Sequence, residues 1–327
     1  MFDLISVGDA TIDTFIQIHD AEVKCNINRQ DCKICVDYGD KIAVDKLTHL
    51  VAGNAANNAI GANRLNLKSA IYVNIGEDSS GKQIFEKLKD EGVSTRYIVV
   101  NKGMESNYSA VLNFQGERTI FVYHQPWKYR LPDLDSTRWV YYTSMSSSFT
   151  DSNIVNEITQ YLERTGTKFL YNPGTYQIQA GIKKNPKLLT LTEIFIINLE
   201  EAKRILGYKE SENISLKKLL KRIVDLGPQM AIITDGGEGS YGFDGESYFH
   251  LGIFPAKLVE MTGAGDGYAT GVLAGLFHGK DLKEAMRWGA ANGASVVEQV
   301  GPQAGLLTYH GMQEKLKENA KIVAKEI

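Results

Sequence analysis

Short apolar runs alternate with amphipathic segments along most of the chain, the pattern of strands buried on both faces with helices between them. Phe2 to Val7 reads as a buried strand and Ala70 to Gly76 as another, with an amphipathic helix between Gly81 and Gly92 after it. Beyond Trp139 the rhythm is regular. Val140 to Thr143, Phe169 to Tyr171, Ile194 to Ile197 and Ala231 to Thr234 read as strands, separated by helices over 151–165, 200–206 and 214–226. This alternation predicts a mostly parallel sheet with helices on both faces. Val272, Leu273, Leu276 and Phe277 recur at helical spacing, and a further helix over 281–298 carries Trp288 with small residues at Gly289, Ala290 and Gly293. The lysine-rich end of the chain reads as a solvated terminal helix.

Two regions break the rhythm. In residues 14 to 50 a short strand, Phe15 to Ile18, leads into a polar detour, read as an insertion lying across one face of the sheet. From Ser106 to His124, two β-rich runs, Tyr108 to Phe114 and Arg118 to Tyr123, are joined by Gln115-Gly116-Glu117, a hairpin signal. Consecutive strands without a helix predict a small second sheet, and with residues 14–50 it forms a candidate lid over substrate. Ser240 to Phe243 followed by Asp244-Gly245 predicts a type I′ hairpin turn.

The 327 residues are 43% hydrophobic and 23% charged, ordinary for a soluble globular protein. A net charge of −3 gives no drive toward nucleic acid or membrane. No apolar run is long enough to cross a bilayer, and the start of the chain reads as a strand rather than a secretory leader. The expected location is cytoplasmic. Cys32 and Cys35 form C-x-x-C near Cys25, and His19 or His49 can complete a small zinc knuckle. Only one ligand pair is clear, so reduced thiols in a polar excursion are the favoured reading, and a disulfide is the least expected in a reducing compartment.

The chemistry concentrates at Glu260-Met261-Thr262-Gly263-Ala264-Gly265-Asp266, which opens the apolar helix. Small residues bring backbone N–H groups close to a ligand, and a helix start favours an anion. Asp266 in the first turn then stands beside that anion, where it can take a proton from an attacking hydroxyl during phosphoryl transfer. The bland alternative is a helix start with a favourable acid. Gly8-Asp9-Ala10-Thr11-Ile12-Asp13 leaves the first strand at its carboxyl end, where open α/β sheets bind ligands. Asp9 and Asp13 are candidates to hold substrate hydroxyls, unless Asp9 only makes an Asx-turn. In Gly53-Asn54-Ala55-Ala56-Asn57, Asn54 and Asn57 share one helix face and can bond sugar hydroxyls, or Asn54 simply caps the helix. Asn198 and Glu201 follow a strand and suit a magnesium or phosphate role, or a capping box. Thr234-Asp235-Gly236-Gly237-Glu238-Gly239 either approaches a nucleotide or turns the chain; neither a P-loop nor a dinucleotide fingerprint is present.

In order along the chain, Ala52-Gly53-Asn54-Ala55-Ala56-Asn57, N-x-x-E at Asn198, T-x-G-x-x-G at Thr234 and Thr262-Gly263-Ala264-Gly265-Asp266-Gly267 resemble the signatures of the ribokinase (PfkB) family of carbohydrate kinases. The resemblance runs from Gly8 to Gly305. It implies a single ribokinase-like domain over 1–327, a three-layer αβα sandwich with a mostly parallel central sheet and a β-lid from about 14–50 and 104–126. It implies transfer from Mg²⁺-ATP to a hydroxyl, often a sugar hydroxymethyl. Asp266 would be the base, and the amides of Gly263, Ala264 and Gly265 the anion hole. Asp13, Gly53, Asn54 and Asn57 would hold the acceptor. Asn198 and Glu201 would order Mg²⁺ and phosphates, Glu201 through metal-bound water, while Thr234, Gly237 and Gly239 would face the nucleotide and Asn292 would lie near the base. A homodimer through the lids is a further implication.

Glu260-Met261 stands where the family usually has Asp-Thr, which puts K⁺ activation in question. Asn66 and Thr270 also fall where the signatures prefer smaller residues. A nucleoside kinase of the same family, with a ribose hydroxymethyl in the same pose, remains an alternative. So does a catalytically inactive sugar- or nucleotide-binding regulator, although binding alone needs no Asp266. An NAD-dependent enzyme is disfavoured by the missing fingerprint.

Overall fold

The computed structural model describes residues 1–25, 32–115 and 117–327. In chain order its strands are β1 (Phe2–Val7), β2 (Thr11–Ile18), β3 (Glu22–Cys25), β4 (Cys32–Cys35), β5 (Val44–Ala52), β6 (Ser69–Gly76), β7 (Ser94–Asn101), β8 (Tyr108–Phe114), β9 (Glu117–Tyr123), β10 (Thr137–Tyr142), β11 (Lys168–Tyr171), β12 (Ile194–Asn198), β13 (Met230–Thr234), β14 (Ser240–Phe243), β15 (Tyr248–Leu251) and β16 (Lys325–Glu326). The α-helices are α1 (Asn54–Arg64), α2 (Ser79–Asp90), α3 (Ile154–Thr165), α4 (Thr175–Ala180), α5 (Pro186–Thr190), α6 (Leu199–Leu206), α7 (Leu216–Val224), α8 (Ala264–Phe277), α9 (Leu282–Val296) and α10 (Tyr309–Glu318).

The large sheet runs β16-β15-β14-β13-β12-β11-β10-β1-β6-β7, parallel from β13 to β7 and antiparallel at the β14–β16 end. Its strands feed two cores by alternation. Val140, Tyr142, Phe195 and Ile197 enter one, with helices α3, α6 and α7; Trp139, Tyr141, Ile194 and Ile196 enter the other, with α8 and α9. That is the αβα sandwich expected from the strand–helix rhythm. Apolar side chains thus leave both faces of one sheet, so only helices on both sides can remove them from water. Helices α8 and α9 lie backbone to backbone: a Cβ on Gly271 would stand 2.4 Å from the Trp288 carbonyl oxygen. The small-residue faces noted in the sequence exist for that contact.

The second sheet has the order β5-β2-β8-β9 and is built from the two regions that break the rhythm. Strand β2 already begins at Thr11, so Asp13 belongs to this sheet rather than to a loop. The turn read at Gln115-Gly116-Glu117 includes a residue outside the described ones, but β8 and β9 on either side of it pair antiparallel.

Several expectations need correction. Cys25 and Cys32 face each other across the β3–β4 pair and are joined by a disulfide, the state least expected from the sequence. Cys35 is a free thiol. The favoured reading, reduced thiols, is thus overturned for Cys25 and Cys32, and the alternative C-x-x-C ligand pair fails on geometry: three residues apart on a strand, Cys32 and Cys35 project to opposite faces. Among the described residues no group of three His, Cys, Asp or Glu side chains is placed to hold a metal. The end of the chain is also not simply a solvated helix. Helix α10 buries Met312 and Leu316, and β16 then pairs with β15 at the sheet edge. The β14–β15 turn is not type I′, because only Gly245 of its central pair has positive φ; Asp244 Oδ1 accepts from Glu246 N and Ser247 N instead. No helix among the described residues is long and apolar enough to cross a membrane.

Candidate active site

Helix α8 starts above the carboxyl ends of the parallel strands. Its N-cap is Gly263 with φ 81°, a left-handed conformation; a Cβ there would meet Pro302 Cβ at 2.3 Å. Only glycine fits, and it turns the chain so that the next amides point outward. The Ala264 N–H donates to the Met261 carbonyl, so of the three expected anion-hole amides only those of Gly263 and Gly265 keep no acceptor among the described residues. Nothing stands within 4 Å of a Cβ built on Gly265, leaving open space over the helix end.

Asp266 lies in the first turn and is 8% exposed. Asn57 Nδ2 on α1 donates to its Oδ2 at 2.7 Å, and Gln303 Nε2 donates to Asn57 Oδ1 at 3.0 Å. Burial pushes the Asp266 carboxyl up to about 6, against the pull of hydrogen bonds from Asn57 and Asn54. One residue along α1, Asn58 Nδ2 donates to Thr270 Oγ1, whose hydroxyl donates to the Asp266 carbonyl oxygen; Ser6 donates to Asn58 Oδ1. Thr270 therefore has a task that a residue without a hydroxyl cannot perform: it locks α8 to α1 behind the carboxylate. Asn66, the other departure from the signatures, has φ 66°, a conformation that asparagine tolerates better than most residues.

Asp13 on β2 is also buried and pushed up to about 6 by desolvation, opposed by a Ser109 hydrogen bond and reinforced by the charges of Asp266 and Glu260. Its Oδ1 has no hydrogen-bond partner, so it is a free acceptor. Glu260 is engaged: its carboxylate accepts from Thr262 N at 2.7 Å and from Gly301 N at 3.3 Å, fastening the segment before Gly263. Asp9 is not a hydroxyl holder. Its carboxylate accepts from Tyr129 Oη at 2.7 Å and Ser146 N at 2.8 Å, and burial raises it to about 7. It ties the loop after β9 and the segment after β10 to the end of β1 and makes no Asx-turn.

A cleft of about 270 Å³ lies along the strand ends, lined by Asn54, Ser144, Asn172, Asn198, Glu201, Thr234, Gly265 and Asp266 among others. Of the expected residues, Asp266, Gly265, Asn54, Asn198, Glu201 and Thr234 thus share one cavity, while Gly263, Ala264, Asp13, Gly53, Asn57, Gly237, Gly239 and Asn292 are not among its lining. Asn198 and Glu201 form a capping box on α6, Asn198 Oδ1 accepting from Glu201 N at 2.8 Å and the Glu201 carboxylate from Asn198 N at 2.9 Å. Burial raises the Glu201 carboxyl. The capping-box reading of N-x-x-E holds, and both of its residues line the cleft. In the turn after β13, positive φ falls on Gly236 and Gly239, while Gly237 stands in open space. Gly53 caps α1 at φ 99°, so Asn54 is the first helical residue rather than the cap. Asn57 faces Asp266 rather than open cleft. Asn292 is fully buried, its Nδ2 donating to Gly267 O and its Oδ1 accepting from Leu307 N, which puts it behind α8. Gln303 and Ser144 were missed, whereas Asn172 stands where a residue directly after a strand is expected, on the ligand edge of the sheet. Gln303 lies in Gly301-Pro302-Gln303-Ala304-Gly305, a polar residue in a small-residue turn, the one signal available for it.

Residues 19–308 match the family model described as pfkB family carbohydrate kinase. An ATP-dependent 6-phosphofructokinase of Thermoanaerobacterium thermosaccharolyticum is 26% identical over 92% of this chain and 89% of its own length. Among solved structures, the ribokinase of Arabidopsis thaliana complexed with ribose and ATP superposes with a TM-score of 0.80 at 22% identity, covering 97% of this chain and 99% of that one. A nucleoside kinase of Methanocaldococcus jannaschii gives 0.77 at 20% identity, with 97% and 99% covered.

Proposed function

Because the chain belongs to the pfkB family of carbohydrate kinases, which are phosphotransferases acting on sugars or nucleosides, we propose that it transfers the γ-phosphoryl group of ATP to a hydroxymethyl group of a sugar or sugar-like acceptor. The observation that carries the reading is a buried carboxylate, Asp266, at the mouth of a cleft beside two amides without internal acceptors.

Asp13 and Asn54 bind acceptor hydroxyls, and Asp13 Oδ1 supplies the unspent acceptor atom. Asn57 holds the Asp266 carboxylate in place. Asp266 removes the proton from the attacking hydroxyl as its oxygen bonds to the γ-phosphorus and the bond to the ADP oxygen breaks. The amides of Gly263 and Gly265 stabilise the charge on the phosphoryl oxygens. The turn from Thr234 to Gly239 flanks the nucleotide. The oxygen donors at this end of the cleft, Asn198, Glu201 and Thr234, suit Mg²⁺, a hard cation that keeps most of its water. When bound, Mg²⁺ neutralises phosphate charge. No step of the proposal uses K⁺, and the Glu260 carboxylate beside the helix start already serves two amides. The small sheet acts as a lid that excludes water, and its exposed apolar edge strand β9 gives a homodimer contact, checked by light scattering on the eluting protein.

ADP release measured over a panel of sugars and nucleosides tests the reading. Turnover with a sugar, abolished by Asp266→Asn with ATP binding retained, supports it. Preference for a nucleoside replaces the acceptor class but keeps the mechanism. ATP binding without turnover on any acceptor leaves a non-catalytic regulator.

A further inference from the structure

A second cavity, of about 210 Å³, opens between the small sheet and the segment before α8. The register of the sheet decides what it presents. Gln17 on β2 pairs with Lys46 on β5 and with Asn113 on β8, and Asn113 pairs with Arg118 on β9. Directly paired residues share a face. Lys46, Gln17, Asn113 and Arg118 therefore form one row across all four strands, and all four line the cavity. Neither cation has an ion-pair or hydrogen-bond partner among the described residues. On the opposite wall the Glu260 carboxylate accepts from Thr262 N and Gly301 N and forms no ion pair with either cation, so two positive charges face one negative charge across the cavity.

Distances follow from sheet geometry. Four strands at roughly 4.8 Å spacing put the backbones of Lys46 and Arg118 about 14 Å apart. Side chains of this length reach roughly 6 Å each, so both heads meet on one small anion above Gln17 and Asn113. Asp13 lies on the same face of β2, four residues from Gln17, or about 13 Å along the strand. An extended six-carbon chain with a terminal anionic group and a hydrogen bond at each end spans roughly that distance.

We propose that the acceptor is a sugar derivative bearing a terminal phosphate or carboxylate, held by Lys46 and Arg118 at the end opposite the hydroxyl that Asp266 deprotonates. This rests on the kinase reading above and narrows its substrate class. Amides at Gln17 and Asn113 complete the cradle as neutral donors. Arg118 presents the fork that matches either anion, and Lys46 supplies a point charge.

The test compares fructose, fructose 6-phosphate and gluconate, each with a free primary hydroxyl, by ADP release and by calorimetric binding. Expected is a preference of about a hundredfold in kcat/KM for an anionic acceptor, roughly tenfold per cation. Lys46→Met and Arg118→Met each raise KM for that acceptor about tenfold with kcat held, and Arg118→Lys restores most of the loss. Which anionic sugar wins distinguishes phosphate from carboxylate. Equal or better use of fructose, or a preference that survives in the double variant, overturns the proposal. Absence of turnover on every acceptor defeats the kinase reading alone; the subsite is then judged by calorimetry. Anionic sugar bound by the parent and lost in Lys46→Met supports it, and binding that is absent or indifferent to the substitution overturns it.

Discussion

Asn57→Leu separates holding a base from holding a substrate. Asn57 Nδ2 donates to Asp266 Oδ2 at 2.7 Å, and its Oδ1 accepts from Gln303, so the amide is engaged on both sides. Leucine keeps the volume and removes the donor. A hydrogen bond to a charged group contributes about 1.5–3 kcal/mol, which corresponds to roughly one to two pKa units favouring the ionised form. Asp266 is pushed up to about 6 with this bond present. Without it the carboxyl moves to about 7 or above, and at pH 6 its ionised fraction falls from about one half to about one tenth.

The assay is the pH profile of kcat/KM. In the parent, activity rises with pH along an acid limb near 6, because the base must be ionised. Asp13 titrates in the same range, so the limb belongs to the pair. Asn57→Leu moves the limb up by about one unit, with at least fivefold loss at pH 6 and little at pH 9. Asp13→Asn moves it the other way, since removing a nearby negative charge makes Asp266 easier to ionise. An acid limb unmoved by Asn57→Leu, with only KM raised at every pH, refutes the assignment of Asn57 to the base.

Asp266→Asn lowers kcat by about 10²- to 10⁴-fold, with nucleotide binding by calorimetry unchanged. Gly263→Ala forces a Cβ to 2.3 Å from Pro302 in a left-handed conformation and lowers stability by at least about 2 kcal/mol in denaturant melts; Gly265→Ala meets open space, leaving the melt unchanged while reducing turnover. Asp9 is raised to about 7 from an ordinary 3.8, so between those values the folded state holds a proton that the unfolded state has released. Stability therefore falls as pH rises through that window, and Asp9→Asn flattens the slope by about 1.4 kcal/mol per pH unit. Thiol titration of the denatured, unreduced protein gives one reactive group, Cys35, and all three cysteines after reduction.

The central sheet was legible because parallel strands buried on both faces leave uninterrupted apolar runs, as at Ile194–Asn198. Strand β7 was not: it sits at the sheet edge, only Tyr97 in it is buried, and Val99 and Val100 face outward. The motifs named Asp266, Gly263 and Asn54 correctly as neighbours, since helix starts at strand ends converge by topology. What the motifs leave out is direction. Asn54 and Asn57 look equivalent at helical spacing, yet although both reach Asp266 only Asn54 also lines the cleft, while Asn57 is tied on its other side to Gln303. Gln303 joins Asn57 across 246 positions, a contact that no local pattern carries. The cysteines failed for a related reason: compartment and spacing predicted their state, but strand pairing placed Cys25 opposite Cys32.

The three buried aspartates whose carboxyls are raised divide by what they retain. Asp9 gives its oxygens to Tyr129 and Ser146, and the two segments flanking β10 that it holds together are its whole return. Asp13 and Asp266 are raised less, and Asp13 keeps a buried oxygen with no partner while Asp266 lines the cleft. Burial without full satisfaction is destabilising, and folds tolerate it where chemistry uses it. A carboxylate near 6 is ionised at neutral pH yet basic enough to share a proton with an alcohol as the alcohol's oxygen bonds to phosphorus. Stronger hydrogen bonding to Asp266 would make it a weaker base, and weaker bonding would leave it protonated. Two donors, Asn57 and Asn54, set the balance between those limits.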